Sequence, residues 1–156
     1  MKWSFDTVKN LVKKVIHSDG EPGRIASAVA VGVFIAWFPI VGTHTVMAIG
    51  AAWMFRLSTA LVFVGNFLNN PFTMIPMFLS GFWVGLAVTG TENVSIDWTM
   101  NMETLIDIGK VFFIPFCIGN ILLGIVGGVI TYFLILHAVR KYRALHAAQL
   151  NEENRA

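Results

Sequence analysis

From Ile25 to Phe55 the chain runs for 31 residues without a charge, which as one helix would be about 46 Å long against a hydrocarbon core of about 30 Å. One straight crossing is excluded, and Pro39, Gly42, Thr43, His44 and Thr45 interrupt the run near its middle. Arg24 to Pro39 reaches about 22 Å and Thr43 to Arg56 about 20 Å, so neither arm crosses alone. A re-entrant hairpin that returns Arg56 to the interface of Arg24 satisfies both lengths. The arithmetic repeats from Leu57, where Asn69, Asn70 and Pro71 interrupt a second apolar run about 21 Å from Arg56.

Composition agrees with a membrane class: 56% of residues are hydrophobic and 13% charged, against about 25% charged in soluble domains. The net charge of +2 is too small to argue for nucleic acid. The lone Cys117 lies in an apolar run, which excludes an intrachain disulfide and a cysteine-based metal site, and it reads as packing. One compact unit is expected, and a membrane bundle of 156 residues favours a homo-oligomer.

The interruptions carry helix-starting chemistry. Asparagine accepts a free amide two or three residues on and proline suits the first helical position, so Asn70-Pro71 begins a helix inside the second run. Thr43 is expected to cap another in the same way, with His44 and Thr45 in its first turn. Helix N-termini carry about half a positive charge and free amide donors, so two aimed at one region suit a phosphate or carboxylate. The candidate substrate site is therefore Thr43, His44, Thr45, Asn70 and Thr73, with Arg24 and Arg56 as interfacial residues for an anion or lipid head group. For each there is a simpler role: His44 and the threonines satisfying backbone carbonyls, Asn70 capping only, the arginines snorkelling. No cofactor or metal is expected, and no nucleophile or metal-ligand spacing argues for an enzyme. Val31-Gly32-x-Phe34 and Val64-Gly65-x-Phe67 form a weak internal echo, each followed by a proline. Paired broken segments of this kind point to substrate sites in transporters.

"PIVGTHT" from Pro39 and "NPFTMIP" from Asn70, after "EPGRIASAVAVGVFIAWFP", resemble the paired motifs of the bacterial membrane family catalogued as domain of unknown function 2062. The resemblance covers about Glu21 to Gly90 and implies an inner-membrane protein, sometimes fused to glycosyltransferase domains, which hints at envelope glycan or lipid-carrier work.

At the N-terminus, Trp3, Val8, Leu11, Val12, Val15 and Ile16 recur at helical spacing with lysines mostly opposite, which describes an interfacial amphipathic helix over residues 1–19, or a soluble one packed on a partner. A membrane domain over 20–139 follows, with broken segments 24–56 and 57–89, a polar loop over 90–110 and a transmembrane helix over 111–139; a basic then polar tail occupies 140–156. Gly124 and Gly128 allow close helix contact. The expected fold is thus all-α and polytopic, and basic residues near both ends place both termini in the cytoplasm. The expected function is transport or flipping of an anionic lipid carrier or small anionic solute. The alternative is a non-transporting scaffold, with membrane lipid and envelope biosynthesis enzymes as partners.

Overall fold

The computed structural model describes Val15 and residues 20–40, 42–67, 71–90 and 102–153. Among them lie five helices and no strand: α1 (Pro22–Ala36), α2 (His44–Met54), α3 (Thr59–Asn66), α4 (Pro71–Thr89) and α5 (Met102–Glu153). The interfacial helix expected over 1–19 lies outside the described residues apart from Val15, which is helical and buried in one cluster with Ile25, Val29 and Val139.

Proline sets the helix boundaries. Pro22 opens α1, where its missing N–H is no loss, and the amides of Arg24 and Ile25 bond the Glu21 carbonyl at 2.9 and 3.1 Å. Pro39 disfavours helical backbone at Phe38, so α1 stops at Ala36 with a tightened last turn, Phe38 N–H to Ile35 O at 2.9 Å. Pro71 opens α4 as its sequence position predicts. α2 ends in a Schellman motif: the Leu57 amide bonds the Ala52 carbonyl at 2.8 Å and the Arg56 amide bonds that of Trp53 at 3.3 Å, with Arg56 at φ 53° where glycine is usual.

α1 and α2 fold back on each other, because the Arg24 guanidinium donates to the Arg56 carbonyl. Counted from that contact, Gly32 is eight residues along α1 and Gly65 nine residues beyond Arg56, about 12 Å in one arm and slightly more in the other. Yet Gly32 and Gly65 meet backbone to backbone. A Cβ on Gly32 would collide with the Val62 carbonyl and lie 2.8 Å from the Asn66 nitrogen; one on Gly65 would collide with the Val29 carbonyl and lie 2.8 Å from the Val33 nitrogen. Two contacts at matching distances make α1 and α3 parallel. The contact is also two-fold symmetric, since Val29, Gly32 and Val33 exchange roles with Val62, Gly65 and Asn66, each 33 positions later. The Val-Gly-x-Phe echo is the sequence trace of that crossing.

α5 is the spine on which α1 and α4 both pack. Gly124 faces Phe34 and Trp37, Gly128 faces the Ala30 carbonyl and Gly23 faces the Tyr132 hydroxyl, so α1 runs antiparallel to the C-terminal half of α5. Gly81 faces Asn120, Gly85 faces the Pro115 carbonyl, and Phe78 and Phe82 meet Phe116 and Phe112 at 5.4 and 5.9 Å, so α4 runs antiparallel to the N-terminal half. α3 and α4 therefore point the same way. The second broken segment, whose length would also allow a return, has α4 running in the same direction as α3, with the glycines of α4 docked on Pro115 and Gly119 of α5. From the Gly23–Tyr132 contact to Thr89, which is level with about residue 111, the bundle extends about 32 Å along α5, one hydrocarbon thickness.

Phe72–Thr89 and Val111–Gln149 are long and apolar enough to cross a membrane, and only 11% and 28% of their most apolar windows are buried within the chain. The core helix of a soluble protein would be mostly buried. Ile125, Val129, Ile130, Phe133 and Leu134 of α5 are all exposed, an apolar surface that suits lipid. The helix outruns its apolar stretch at both ends, starting at Met102 and reaching Glu153, because helix formers such as Ala144, Leu145, Ala147, Ala148 and Gln149 continue it.

The glycine contacts make a prediction. Gly32→Ala and Gly85→Ala should each lower stability by about 1–3 kcal/mol through overpacking, whereas Gly50→Ala, where a Cβ meets nothing within 4 Å, should raise it by up to about 1 kcal/mol. Thermal unfolding in detergent reads both signs, and the reverse order would refute the crossings.

Candidate functional site at the helix breaks

The first break is a compact turn. Gly42 takes φ 95°, a conformation glycine adopts without strain, and swings the chain into α2. His44 spans the turn with Nε2 3.1 Å from the Phe38 carbonyl; a carbonyl only accepts, so this nitrogen carries the proton. Thr43 does not cap α2, contrary to expectation. Its backbone is helical (φ −84°, ψ −14°) rather than extended, and its hydroxyl donates back to the Ile40 carbonyl at 2.8 Å, with Met47 Sδ at 3.6 Å. Among the described residues no side-chain cap bond is made by Thr43 at the start of α2, where the helix dipole is positive. Thr43 and His44 are half-buried and Thr45 is exposed, all three in or beside the first turn of α2.

At the second break Asn69 and Asn70 lie outside the described residues, and Thr73 is half-buried in the first turn of α4. Asn66 ends α3 beside Gly32, with a buried Oδ1 that no hydrogen bond reaches. Both breaks begin within four residues of the Gly32–Gly65 crossing, at the same end of the parallel α1–α3 pair. Arg24 and Arg56 occupy the other end, about 18 Å away along α1. Thr43, His44 and Thr45 thus lie together at the first break, and Arg24 and Arg56 together at the other end of α1.

Two features escaped the sequence. Asn120 is fully buried where α5 crosses Gly81; its Nδ2 donates to the Phe116 carbonyl at 2.8 Å while Oδ1 has no hydrogen-bond partner. Its signal was a lone asparagine in the apolar run from Val111, the kind of group that marks an interhelical contact at membrane depth. The other is an apolar groove of about 960 Å³ between α2 and α5 with α1 as its floor, lined at one end by Phe34, Met47 and Gly124 and at the other by Ser27, Phe55 and Tyr132. It is assembled from three separate helices, so no single stretch of sequence announces it.

These features define a helical protein with two membrane-length helices and a pair of broken segments meeting at a glycine crossing. The chain belongs to the family of uncharacterized proteins conserved in bacteria designated DUF2062, whose profile matches residues 6–148, well beyond the Glu21–Gly90 stretch that carries the motifs. Neither a curated protein nor a solved structure matches the chain.

The turn geometry separates two roles. His44→Ala removes the bond to Phe38 and should accelerate amide hydrogen exchange across residues 42–47 about five-fold, the equivalent of one hydrogen bond of about 1 kcal/mol. Thr43→Val removes a bond to Ile40 and no cap, so exchange within α2 should stay at its wild-type rate. Fraying of α2 in Thr43→Val would show that the hydroxyl is a cap after all.

Proposed function

We propose that the chain spans the bacterial inner membrane and moves an anionic lipid carrier or small anionic solute, using the break end of the α1–α3 pair as its site. The observation that carries this reading is the parallel glycine crossing, after which α1 and α3 both stop at one end of the pair, beside an α2 N-terminus that the Thr43 side chain does not cap. There His44, Thr43 and Thr45 supply donors and a positive dipole end to an anion, and Asn70 and Thr73 of the second break are assigned to the same anion on their sequence motif. The 32 Å between the arginine level and Thr89 spans about one hydrocarbon core, and Arg140, Lys141 and Arg143 lie just beyond Arg24 and Arg56. By the excess of basic residues that end is cytoplasmic, which puts both termini there and Thr89 outside.

A second reading, a non-transporting scaffold for envelope glycan or lipid enzymes, is favoured by the helical continuation of α5 past Arg140 to Glu153, about 20 Å of helix beyond the apolar run.

Reconstitution with a fluorescent polyprenyl phosphate, its transbilayer movement followed by quenching from outside, tests the two. Wild type should accelerate movement, His44→Ala and Asn70→Ala should each slow it about ten-fold, a loss of about 1.4 kcal/mol, and Thr89→Ala should not. If both site variants insert normally and move the lipid at the wild-type rate, the transport reading fails. Loss of protein partners on removing residues 144–156 would then favour the scaffold.

A further inference from the structure

The apolar groove has a polarity that its three walls share. Along α1 it runs from Ser27 to Phe34, along α5 from Tyr132 to Gly124, and along α2 from Phe55 back to Met47, so one end of every wall lies near the Arg24–Arg56 contact. Ser27 is one turn from Arg24, and its hydroxyl is already engaged with the Gly23 carbonyl at 2.9 Å, which leaves the floor apolar. Two exposed arginines adjoin that end of the groove without lining it: Arg56 follows Phe55 of the lining, Arg24 is tied through one guanidinium nitrogen to the Arg56 carbonyl, and neither has an acidic partner among the described residues. Arg56 is also in an unexpected place. It holds φ 53° at a helix C-terminus where glycine would avoid a penalty of about 1–2 kcal/mol, so the fold has no local use for an arginine side chain there.

We propose that this groove binds an anionic phospholipid of the surrounding bilayer, its phosphate held at Arg24 and Arg56 and one acyl chain lying between α2 and α5. Charge complementarity selects the occupant: an apolar body suits any acyl chain, but two adjoining exposed arginines at one end favour a net-negative head group over a zwitterionic one. The volume of about 960 Å³ falls within the range of small-molecule sites, about 300–1,000 Å³. This site depends on the membrane placement argued above but not on transport, because its phosphate end lies at the end of α1 opposite His44.

Native mass spectrometry of the full-length protein in detergent, titrated with dioleoylphosphatidylglycerol or dioleoylphosphatidylcholine, tests it. Wild type should hold the phosphatidylglycerol at least about five-fold more tightly, as expected for a basic residue near an anionic head group. Arg56→Gly should cut that preference about five-fold without lowering the melting temperature, since glycine accepts φ 53°. Gly50→Phe should weaken binding of both lipids, because Gly50 lines the groove and a side chain there meets nothing within 4 Å. Soluble glycerol 3-phosphate should not compete, and Thr89→Ala, at the far end of the bundle, should bind as wild type does. Equal affinity of wild type for the two lipids, or an undiminished preference in Arg56→Gly, overturns the proposal. So does undiminished binding in Gly50→Phe, or effective competition by glycerol 3-phosphate. Loss of binding in Thr89→Ala, a residue outside both the groove and the breaks, would also overturn it.

Discussion

The close approach of Gly32 and Gly65 fixes the rest of the architecture. With no Cβ on either side, α1 and α3 touch backbone to backbone, and the contact is the same seen from each helix. In lipid, apolar side chains gain nothing by leaving the solvent, so association rests on packing and on weak Cα–H to carbonyl contacts that only small residues permit. A side chain at either position would push the helices apart. The end of the pair at which both α1 and α3 stop would then come apart.

The same device recurs along α5. Gly81, Gly85 and Gly119 bring α4 onto the helix around Pro115, and Gly124 and Gly128 seat α1 on it two turns later. Asn120 lies between these docking zones, and its amide returns a donor to the Phe116 carbonyl. That carbonyl would ordinarily accept from within its own helix, so the asparagine adds a second donor to it rather than rescuing an orphan. Its unpaired Oδ1 faces the Gly81 backbone, where a Cα–H contact is the available partner.

What the sequence made legible follows from covalent constraints and lengths. Pro22 and Pro71 open helices because the ring removes a donor that a helix start does not use, and the near-equal arms around Pro39 bring Arg56 back to Arg24. Tertiary choices were not legible. Thr43 has the chemistry of a cap, but Gly42 sets a helical backbone at Thr43 that turns the hydroxyl toward Ile40. The length of α4 allowed a return to the starting side, and only its contacts with Pro115 and Gly119 send it onward. The groove escaped for the same reason, since α2 and α5 are far apart in sequence and become neighbours only across α1.

The central claim is that α1 and α3 run parallel, with the arginine end and the break end at opposite ends of the pair. Spin-label distances in lipid nanodiscs, in a Cys117→Ala background, test it most directly with labels at Glu21 and Ser58 and, separately, at Glu21 and Phe67. The account predicts a short separation for the first pair and one about 20 Å along the axis for the second. The opposite order, with Phe67 near Glu21 and Ser58 distant, would contradict it.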